Sequence, residues 1–351
     1  MSKAARMHGA IDGFERLPHV GTAPARAVRR AGLPVSAHPL VGLIRNPRSH
    51  HNVDRTGKGT PPSYAPNIIA RSPAKRNELA AILEHFAQER VDYIAIDGGD
   101  GTVRDVLTCG AGVFGESWPP LIVLPHGKTN ALAYDLKIPA DWTLDHALAA
   151  IRQGNTVTRR PLVVTQRDRE SARVSGFVLG GGAFTMATKL GQNAHDLGAF
   201  NAAVVGVTAA WSALQAMLGR SGNRWRQGTP MRLRQMNGEE VPHFGGTAPQ
   251  ERYVLFASTL RHFPAGLRPF GNEQGRLRLA LLDHAKRTLL MRLPLIFFGR
   301  AGAALHRMGF HIIGTDRIDL DIGDQFILDG EAFPAGSYRL EAGAKLRFVV
   351  P

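Results

Sequence analysis

Three glycines and one carboxylate stand within five consecutive positions, and this stretch of the sequence is the one most suited to chemistry. It reads Gly98–Gly99–Asp100–Gly101–Thr102 and follows an apolar run typical of a buried strand. Glycines let the backbone approach a ligand closely, and the helix predicted after them points its positive dipole end at the same spot. An acidic residue in such a loop holds Mg²⁺ or accepts a proton from an attacking hydroxyl. The pattern therefore predicts a phosphate-binding loop, with a plain tight turn capped by Thr102 as the alternative.

A second glycine-bearing turn, Gly127–Lys128–Thr129–Asn130, follows another apolar strand. The Thr129 hydroxyl and the Asn130 amide are able to bond phosphate oxygens, and Lys128 is able to offset their charge. The turn is not a Walker A motif, because Ile122 stands where that motif needs glycine, and the first loop lacks the G-x-G-x-x-G pattern of dinucleotide sites. A second phosphate-binding turn is predicted, and a capped turn without a ligand is the alternative.

The elements that must carry these loops follow from the pattern of apolar residues. Between residues 39 and 154, apolar strands alternate with segments of helical periodicity, which is typical of a parallel sheet with right-handed crossovers. Ligands of such sheets bind at the carboxyl ends of the strands, where both glycine loops stand. One helix is expected to open at Ser72–Pro73, and the helix after the first loop is expected to stop at Gly110.

The pattern changes after residue 155. Several segments alternate polar and apolar residues, most clearly Arg317 to Ile322, which indicates antiparallel sheets with one solvated face. Helices are expected near 195–218 and 285–307. Taken alone, the Asp329–Gly330 pair after an apolar run predicts a hairpin turn.

The chain is expected to contain three parts. Residues 1–38 carry arginines among Pro and Gly and are predicted to be a flexible basic tail. Residues 39–154 form the α/β domain, and residues 155–351 form a mainly β domain.

The charge balance restricts the partners. The chain has 43 basic and 29 acidic residues and a net charge of +14, which favours anionic partners such as nucleotides or acidic lipid headgroups. No nucleic-acid partner is expected, because no such binding motif is present and aromatic residues make up only 7% of the chain. The single cysteine, Cys109, excludes an internal disulfide and indicates a reducing compartment.

Two apolar segments bear on membrane contact. Leu197 to Gly219 has no charged residue but is rich in Ala and Gly, so a buried or interfacial helix is expected there rather than a span. Leu289 to Phe298 is too short to span and is flanked by Lys286, Arg287 and Arg300. This segment is able to lie in a membrane interface, and a core helix of the second domain is the alternative.

Four segments in this order resemble the diacylglycerol kinase catalytic family, which includes sphingosine kinases, ceramide kinases and bacterial lipid kinases. They are Asn46–Pro47–Arg48–Ser49, residues 98–102, residues 125–130 and Asp329–Gly330–Glu331. The G-G-D-G-T segment alone is shared with NAD kinases. The ordered set, with a β-rich second half, is more specific to the lipid kinases.

The resemblance implies an α/β fold with an N-terminal parallel-sheet nucleotide-binding domain for ATP and a C-terminal antiparallel β-sandwich domain with inserted helices for the lipid. It implies transfer of the γ-phosphoryl group of ATP, with Mg²⁺, to the hydroxyl of a membrane lipid. The resemblance also implies that an Asp is the general base, for which Asp100 and Asp329 are the candidates and Asp100 is preferred, and that Asp100 and Glu331 are the metal ligands. The expected nucleotide-binding residues are Asn46, Ser49, Gly98, Gly99, Gly101, Thr102, Gly127, Lys128, Thr129, Asn130 and Glu331.

The place of action follows from the expected substrate and charge. We expect a cytoplasmic protein that associates peripherally with the inner face of the membrane, because its basic surface would be attracted to an anionic membrane surface.

The chain departs from the family pattern at several positions. The family usually has Thr at Lys128, Asp at Ala131 and Gly at His50, and it has an acidic metal-site segment where this chain has residues 271–275. These changes leave a structural Mg²⁺ like that of some bacterial members without its usual ligands. They imply a divergent branch, and on the resemblance alone ceramide is favoured over diacylglycerol as the acceptor.

Three other functions stay open: a diacylglycerol kinase, a soluble NAD kinase-like enzyme, and a catalytically inactive membrane-binding homologue. NAD kinases usually follow their second glycine loop with an aromatic L-G-F-type segment, whereas this chain has Asn130–Ala131–Leu132–Ala133. The departures at Ala131 and near Asn272 keep the inactive homologue open, and ATP turnover distinguishes it from an enzyme.

Overall fold

The computed structural model describes residues 38–49, 52, 64–185, 227–245, 248, 250–300 and 302–351. Most of the expected basic tail, the helix expected near 195–218 and the uncharged segment Leu197 to Gly219 lie outside the described residues.

The described strands and helices are numbered in chain order. The strands are β1 Val41–Arg45, β2 Ile68–Arg71, β3 Tyr93–Gly98, β4 Leu121–Pro125, β5 Thr156–Arg159, β6 Leu162–Gln166, β7 Arg169–Gly176, β8 Val178–Gly182, β9 Thr229–Gln235, β10 Glu251–Arg252, β11 Val254–Ser258, β12 Leu277–Leu282, β13 Phe310–Thr315, β14 Arg317–Ile322, β15 Phe326–Leu328, β16 Glu331–Phe333, β17 Gly336–Ala342 and β18 Leu346–Val349. The helices are α1 Glu78–Gln88, α2 Asp100–Phe114, α3 Ala131–Asp135, α4 Leu144–Gln153, α5 Arg287–Leu290, α6 Leu293–Phe297 and α7 Ala303–His306.

The first sheet has six strands in the order β2-β1-β3-β4-β18-β5. The pairs from β2 to β18 run parallel, and only the last pair, β18 with β5, is antiparallel. Strands β1, β3 and β4 are buried almost throughout, as expected for a sheet covered by helices. Because β3 and β4 are neighbours that run parallel, the loops after Gly98 and Pro125 leave the same edge of the sheet.

Two helix boundaries differ from expectation. The prediction that a helix opens at Ser72 is wrong, because a turn precedes α1 and the Ala74 N–H donates to Glu78 Oε2 at 2.9 Å. The prediction that α2 stops at Gly110 is also wrong. A Cβ on Gly110 would come within 2.3 Å of the Trp118 ring, so this glycine permits close packing inside the helix instead of ending it.

The second half of the chain forms two antiparallel sheets. Their strand orders are β10-β9-β14-β17-β6-β7 and β13-β12-β11-β8-β15-β16. Strand β14 buries Ile318, Leu320 and Ile322 and leaves the residues between them partly exposed, as its alternation predicted. A Cβ on Gly181 of β8 would lie 3.0 Å from the Ile322 side chain, so the two sheets pack face to face at that point. The predicted fold class is confirmed.

Contacts between Cα atoms divide the chain into two compact units, and each is described by itself. The α/β unit contains the described residues up to Pro161, Ala172–Gly176 and Gly343–Pro351, and the β unit contains Leu162–Ser171 and the described residues of Phe177–Ala342. This division differs from the predicted boundary at 154/155, because β5 and β18 pair into the first sheet. The last strand of the chain therefore belongs to the α/β unit.

The helices expected near 285–307 are present as the short α5, α6 and α7. Among the described residues, no helix is long and apolar enough to cross a bilayer.

Candidate active site

The two glycine loops touch each other through their backbones. A Cβ on Gly99 would lie 2.8 Å from Gly127 Cα, and a Cβ on Gly127 would lie 2.3 Å from Gly99 Cα. Any larger residue at either position would force the loops apart. Both glycines are therefore needed to bring the carboxyl ends of β3 and β4 into one surface.

Asn130 shapes the second loop. It has a left-handed backbone conformation with φ of +50°, its Oδ1 accepts from Gly127 N at 2.9 Å, and its Nδ2 donates to the Pro125 and Gly127 carbonyls at 3.0 and 2.9 Å. Asn tolerates this conformation because its side chain bonds the local backbone. The Asn130 amide is thus occupied inside the loop, while Lys128 and Thr129 are exposed beside it.

The loop after β1 is bonded to both glycine loops. Asn46 Nδ2 donates to Thr102 Oγ1 at 2.9 Å, and Asn46 Oδ1 accepts from Arg48 N at 3.0 Å. Ser49 Oγ donates to the His126 carbonyl at 2.5 Å. The structure thereby brings together the three predicted segments of the α/β unit.

A cleft of about 470 Å³ opens where these loops meet. Seven of the predicted nucleotide-binding residues line it, namely Asn46, Ser49, Gly99, Gly101, Thr102, Gly127 and Lys128. Of the other predicted residues in this unit, Gly98 lies behind Thr102, where a Cβ would come within 2.5 Å of the Thr102 hydroxyl.

Four further side chains line the cleft that the sequence did not single out as site residues: Arg48, Arg76, Arg104 and Asp105. Asp105 Oδ2 accepts from Arg76 Nε at 2.6 Å, and Asp105 Oδ1 accepts from Arg104 at 2.8 Å. Arg104 is only 2% exposed, so its guanidinium is held in place rather than mobile. With Lys128, the cleft has four cationic side chains and one carboxylate.

These four residues differ in whether the sequence could have indicated that they line the cleft. Arg48 belongs to the Asn46–Ser49 segment, and Arg104 and Asp105 follow Thr102 on the same helix, so their neighbours in sequence could have indicated them. Arg76 precedes α1 and reaches Asp105 only because α1 packs beside α2. No local pattern predicts that contact.

Asp100 begins α2 and bonds the backbone of the second loop. Its Oδ2 accepts from Ala131 N at 2.9 Å and its Oδ1 accepts from Leu132 N at 3.2 Å, so it caps α3. Burial raises the pKa of the Asp100 carboxyl above its ordinary value, and the backbone N–H groups of Ala131, Leu132 and Asn130 and the Arg104 charge oppose the rise only in part.

A second carboxylate, Asp97, contacts residues of the segments that follow β1 and β4. Its Oδ1 lies 2.5 Å from His126 Nδ1 and accepts from Asn52 Nδ2 at 2.8 Å, and its Oδ2 lies 3.6 Å from Arg45 Nε. Asp97 is buried. Sequence reasoning missed this residue, because nothing in the local pattern distinguishes it from the end of an apolar strand.

Asp329, Gly330 and Glu331 lie in the β unit. Asp329 and Gly330 have φ of +45° and +82° and join β15 to β16, which is the geometry of a two-residue hairpin turn. Both Asp329 oxygens accept backbone bonds at 2.9 Å, one from Phe177 N and one from Val178 N. Glu331 is buried at the start of β16. The hairpin prediction is confirmed, and the roles of Asp329 as base and of Glu331 as ligand stay predictions.

Comparison with known proteins matches most of the α/β unit to one family model. Residues 42–162 match the family model described as the diacylglycerol kinase catalytic domain. These residues belong to that family. The chain therefore carries the catalytic domain of a lipid kinase, a phosphotransferase that uses ATP and has a lipid alcohol as its acceptor.

Solved structures share the fold of most of the chain. One is a candidate diacylglycerol kinase from Bacillus anthracis str. Sterne, with a TM-score of 0.59, 16% identity, and coverage of 90% of this chain and 98% of that one. Another is a diacylglycerol kinase from the same strain, with a TM-score of 0.58, the same identity and the same coverage. At this identity the likeness shows the fold alone. A search of curated proteins found no match.

The cleft of the kinase domain is better suited to a nucleoside triphosphate than to a metal ion held only by protein side chains. The cation-lined cleft at the N-terminus of the 15-residue helix α2 suits phosphate. Among the described residues, no group of three or more His, Cys, Asp or Glu is placed to hold a metal ion. Mg²⁺ fits this site only in its usual kinase mode, bound by nucleotide phosphates, waters and one or two carboxylates.

Proposed function

We propose that the protein transfers the γ-phosphoryl group of Mg²⁺-ATP to the hydroxyl of a membrane lipid, with ceramide as the first candidate acceptor and diacylglycerol as the second. It acts in the cytoplasm, at the inner face of the membrane. The observation that carries the proposal is the cleft of about 470 Å³ formed by two touching glycine loops and four cationic side chains.

The cleft supplies what phosphoryl transfer needs from a protein. This reaction depends mostly on positioning the phosphates and on stabilising the charge of the transferred group. Asp105 holds Arg76 and Arg104 in fixed positions, and the glycines admit the phosphates close to the backbone. Mg²⁺, when bound, would neutralise charge that develops on the phosphate oxygens.

Asp100 is the proposed general base. Because burial raises its pKa, its carboxylate is a stronger proton acceptor than that of an ordinary aspartate. Asp329 is the second candidate, since it directly follows the buried strand β15 and two backbone N–H groups hold its carboxylate in place.

The choice of acceptor rests on two lines of support that point different ways. The departures at Lys128, Ala131 and residues 271–275 support a divergent branch, which favours ceramide. The names of the structural neighbours support diacylglycerol. Both lipids carry a free primary hydroxyl beside two long hydrocarbon chains, so the same cleft could accept either.

The test is to incubate the purified protein with labelled ATP and Mg²⁺ in mixed micelles that contain ceramide, diacylglycerol, sphingosine or no acceptor, with NAD in a separate reaction. One strongly labelled lipid identifies the acceptor and supports the proposal. Labelled NAD moves the protein to the NAD kinases. ATP binding without transfer to any acceptor supports an inactive homologue.

A matched pair of lysine variants ties the activity to the cleft. Lys128→Ala removes a cation from the cleft, and Lys345→Ala removes an exposed lysine outside it. A charge-assisted contact to phosphate is worth about 1.5–3 kcal/mol, so we expect the KM for ATP to rise about tenfold or more in the first variant and to be unchanged in the second. Equal KM values in both would place the nucleotide elsewhere.

A further inference from the structure

Helices α5 and α6 are anchored in the core of the β unit by one side only. Leu289, Leu290 and Ile296 are buried and pack in one cluster with Leu282 of β12 and Phe310 of β13. The interpretation of Leu289 to Phe298 as a core segment therefore holds for these three side chains. Their burial fixes how the two helices are oriented on the core of the β unit.

The same segment presents four large apolar side chains to solvent. Met291, Leu295, Phe297 and Phe298 are 67%, 44%, 39% and 54% exposed. The other large apolar side chains that are exposed in the described part of the chain, Tyr134, Met236 and Phe244, are scattered through the sequence. Single exposed apolar residues are ordinary on a protein surface, whereas four within eight positions indicate an interaction surface. We call these four side chains the 291–298 face.

The stretch of sequence that contains the 291–298 face has charged side chains of one sign only. Lys286, Arg287, Arg292, Arg300 and Arg307 are all exposed. Residues 284–315 contain no Asp or Glu. At the chain-wide ratio of 43 basic to 29 acidic residues, five basic residues would come with about three acidic ones.

We infer that the 291–298 face docks on an anionic lipid bilayer. Apolar side chains enter the boundary between headgroups and acyl chains, and the surrounding cations meet anionic headgroups.

A second copy of the chain is a poorer occupant, because a two-fold contact would bring two all-positive rims together. The segment Leu197 to Gly219 is also a poorer occupant, because it contains no acidic side chain that could pair with the cations. This inference rests on the proposed function and names the surface by which the enzyme reaches its substrate.

Vesicle binding without ATP tests the inference apart from catalysis. The full chain is sedimented with vesicles of phosphatidylcholine mixed with phosphatidylglycerol, and with vesicles of phosphatidylcholine alone. The variants are Met291→Ser and the double replacement Phe297→Ser with Phe298→Ser. The matched control is Met236→Ser, because Met236 is 71% exposed and lies outside the face. All of these side chains are exposed, so unchanged circular dichroism is expected.

We expect the wild type and the control to bind the mixed vesicles equally. The double phenylalanine variant should lose about tenfold or more in partitioning, since two aromatic side chains no longer enter the interface. Binding of the wild type should fall with added salt, because the cations are screened. Phosphatidylcholine vesicles should bind less of the wild type than the mixed vesicles do.

Three results would overturn the inference: no binding of the wild type to mixed vesicles, equal binding of the double variant and the wild type, or an equal loss in Met236→Ser. A change from dimer to monomer in the double variant, with vesicle binding retained, would instead assign the face to a contact between copies. Activity on dispersed short-chain ceramide and on dispersed short-chain diacylglycerol is measured in parallel. Absence of activity on both lipids in the wild type would contradict the proposed function and leave the vesicle result to stand alone.

Discussion

Asp100 bonds two backbone N–H groups, so its replacement separates a chemical role from a structural one. In Asp100→Asn, one of the Ala131 and Leu132 N–H groups faces an amide NH₂ instead of an oxygen, which we expect to cost about 1 kcal/mol of stability. If Asp100 is the base, kcat should fall by about a hundredfold or more. The measurements are kcat at saturating ATP and urea unfolding.

The matched variant for that experiment is Asp329→Asn, which makes the same change at the other candidate base. Asn is suited to the left-handed conformation of that turn, so the hairpin should be retained. Activity retained in Asp100→Asn and lost in Asp329→Asn would leave Asp100 as a helix cap and transfer the role of base to Asp329.

Cys109 gives a residue-scale prediction that depends on pH. Burial raises the pKa of the Cys109 thiol to about 12, and the nearby Asp105 charge adds to the rise. The pKa of this thiol in the folded protein exceeds the ordinary value of 9.0 that it has in the unfolded chain. The protonated thiol therefore contributes its full stabilisation below pH 9. As the pH rises from 9 towards about 12, the unfolded chain loses this proton more readily than the folded protein, and the contribution is lost. At pH 8 the folded protein should resist iodoacetamide, which attacks thiolates.

Mass spectrometry measures that reaction directly. The guanidinium-unfolded chain, whose thiol has an ordinary pKa, is the positive control and should be alkylated within the same interval. Alkylation of the folded protein at the unfolded rate would mean that the thiol is not buried in α2.

At the scale of elements, the site depends on the contact between the loops after β3 and β4. Gly99 has φ of −98°, so an alanine there is strained only by contact, with its Cβ 2.8 Å from Gly127 Cα. We expect Gly99→Ala to destabilise the protein by about 1–3 kcal/mol and to weaken ATP binding, because the loops must separate. Isothermal titration with a nonhydrolysable ATP analogue and urea unfolding measure the two effects.

Gly302→Ala is the matched control, because a Cβ at that position meets no atom within 4 Å. Its stability and affinity should equal those of the wild type. If Gly99→Ala also matched the wild type, the two loops would not touch in solution as they do in the structure.

At the scale of the whole molecule, the C-terminal strand holds the α/β unit together. Strand β18 lies between β4 and β5, and its Phe348 is fully buried. We expect Phe348→Ala to cost about 3–5 kcal/mol, since it leaves a cavity in the core of the first sheet. Arg347→Ala, an exposed residue of the same strand, should stay within about 0.5 kcal/mol of the wild type. Equal urea midpoints for the two variants would contradict this placement of β18.

The sequence by itself determined the chemistry-bearing segments and the type of fold. Glycines after a buried apolar run, and the alternation in Arg317 to Ile322, are local patterns, and the backbone preferences that they express depend on neighbouring residues alone. For that reason the strands β1, β3, β4 and β14, the loop at 98–102 and the Asp329–Gly330 turn could all be predicted.

Only the tertiary structure decided which distant residues meet. The pairing of Arg76 with Asp105, the contact of Asp97 with His126, the capping of α3 by Asp100 and the return of β18 to the first sheet each join segments far apart in the chain. The exposed 291–298 face is of the same kind, because the sequence showed an apolar segment with basic flanks but packing selected Leu289, Leu290 and Ile296 for the core. Such contacts are set by the shape and burial of whole elements, which no local pattern of residues encodes.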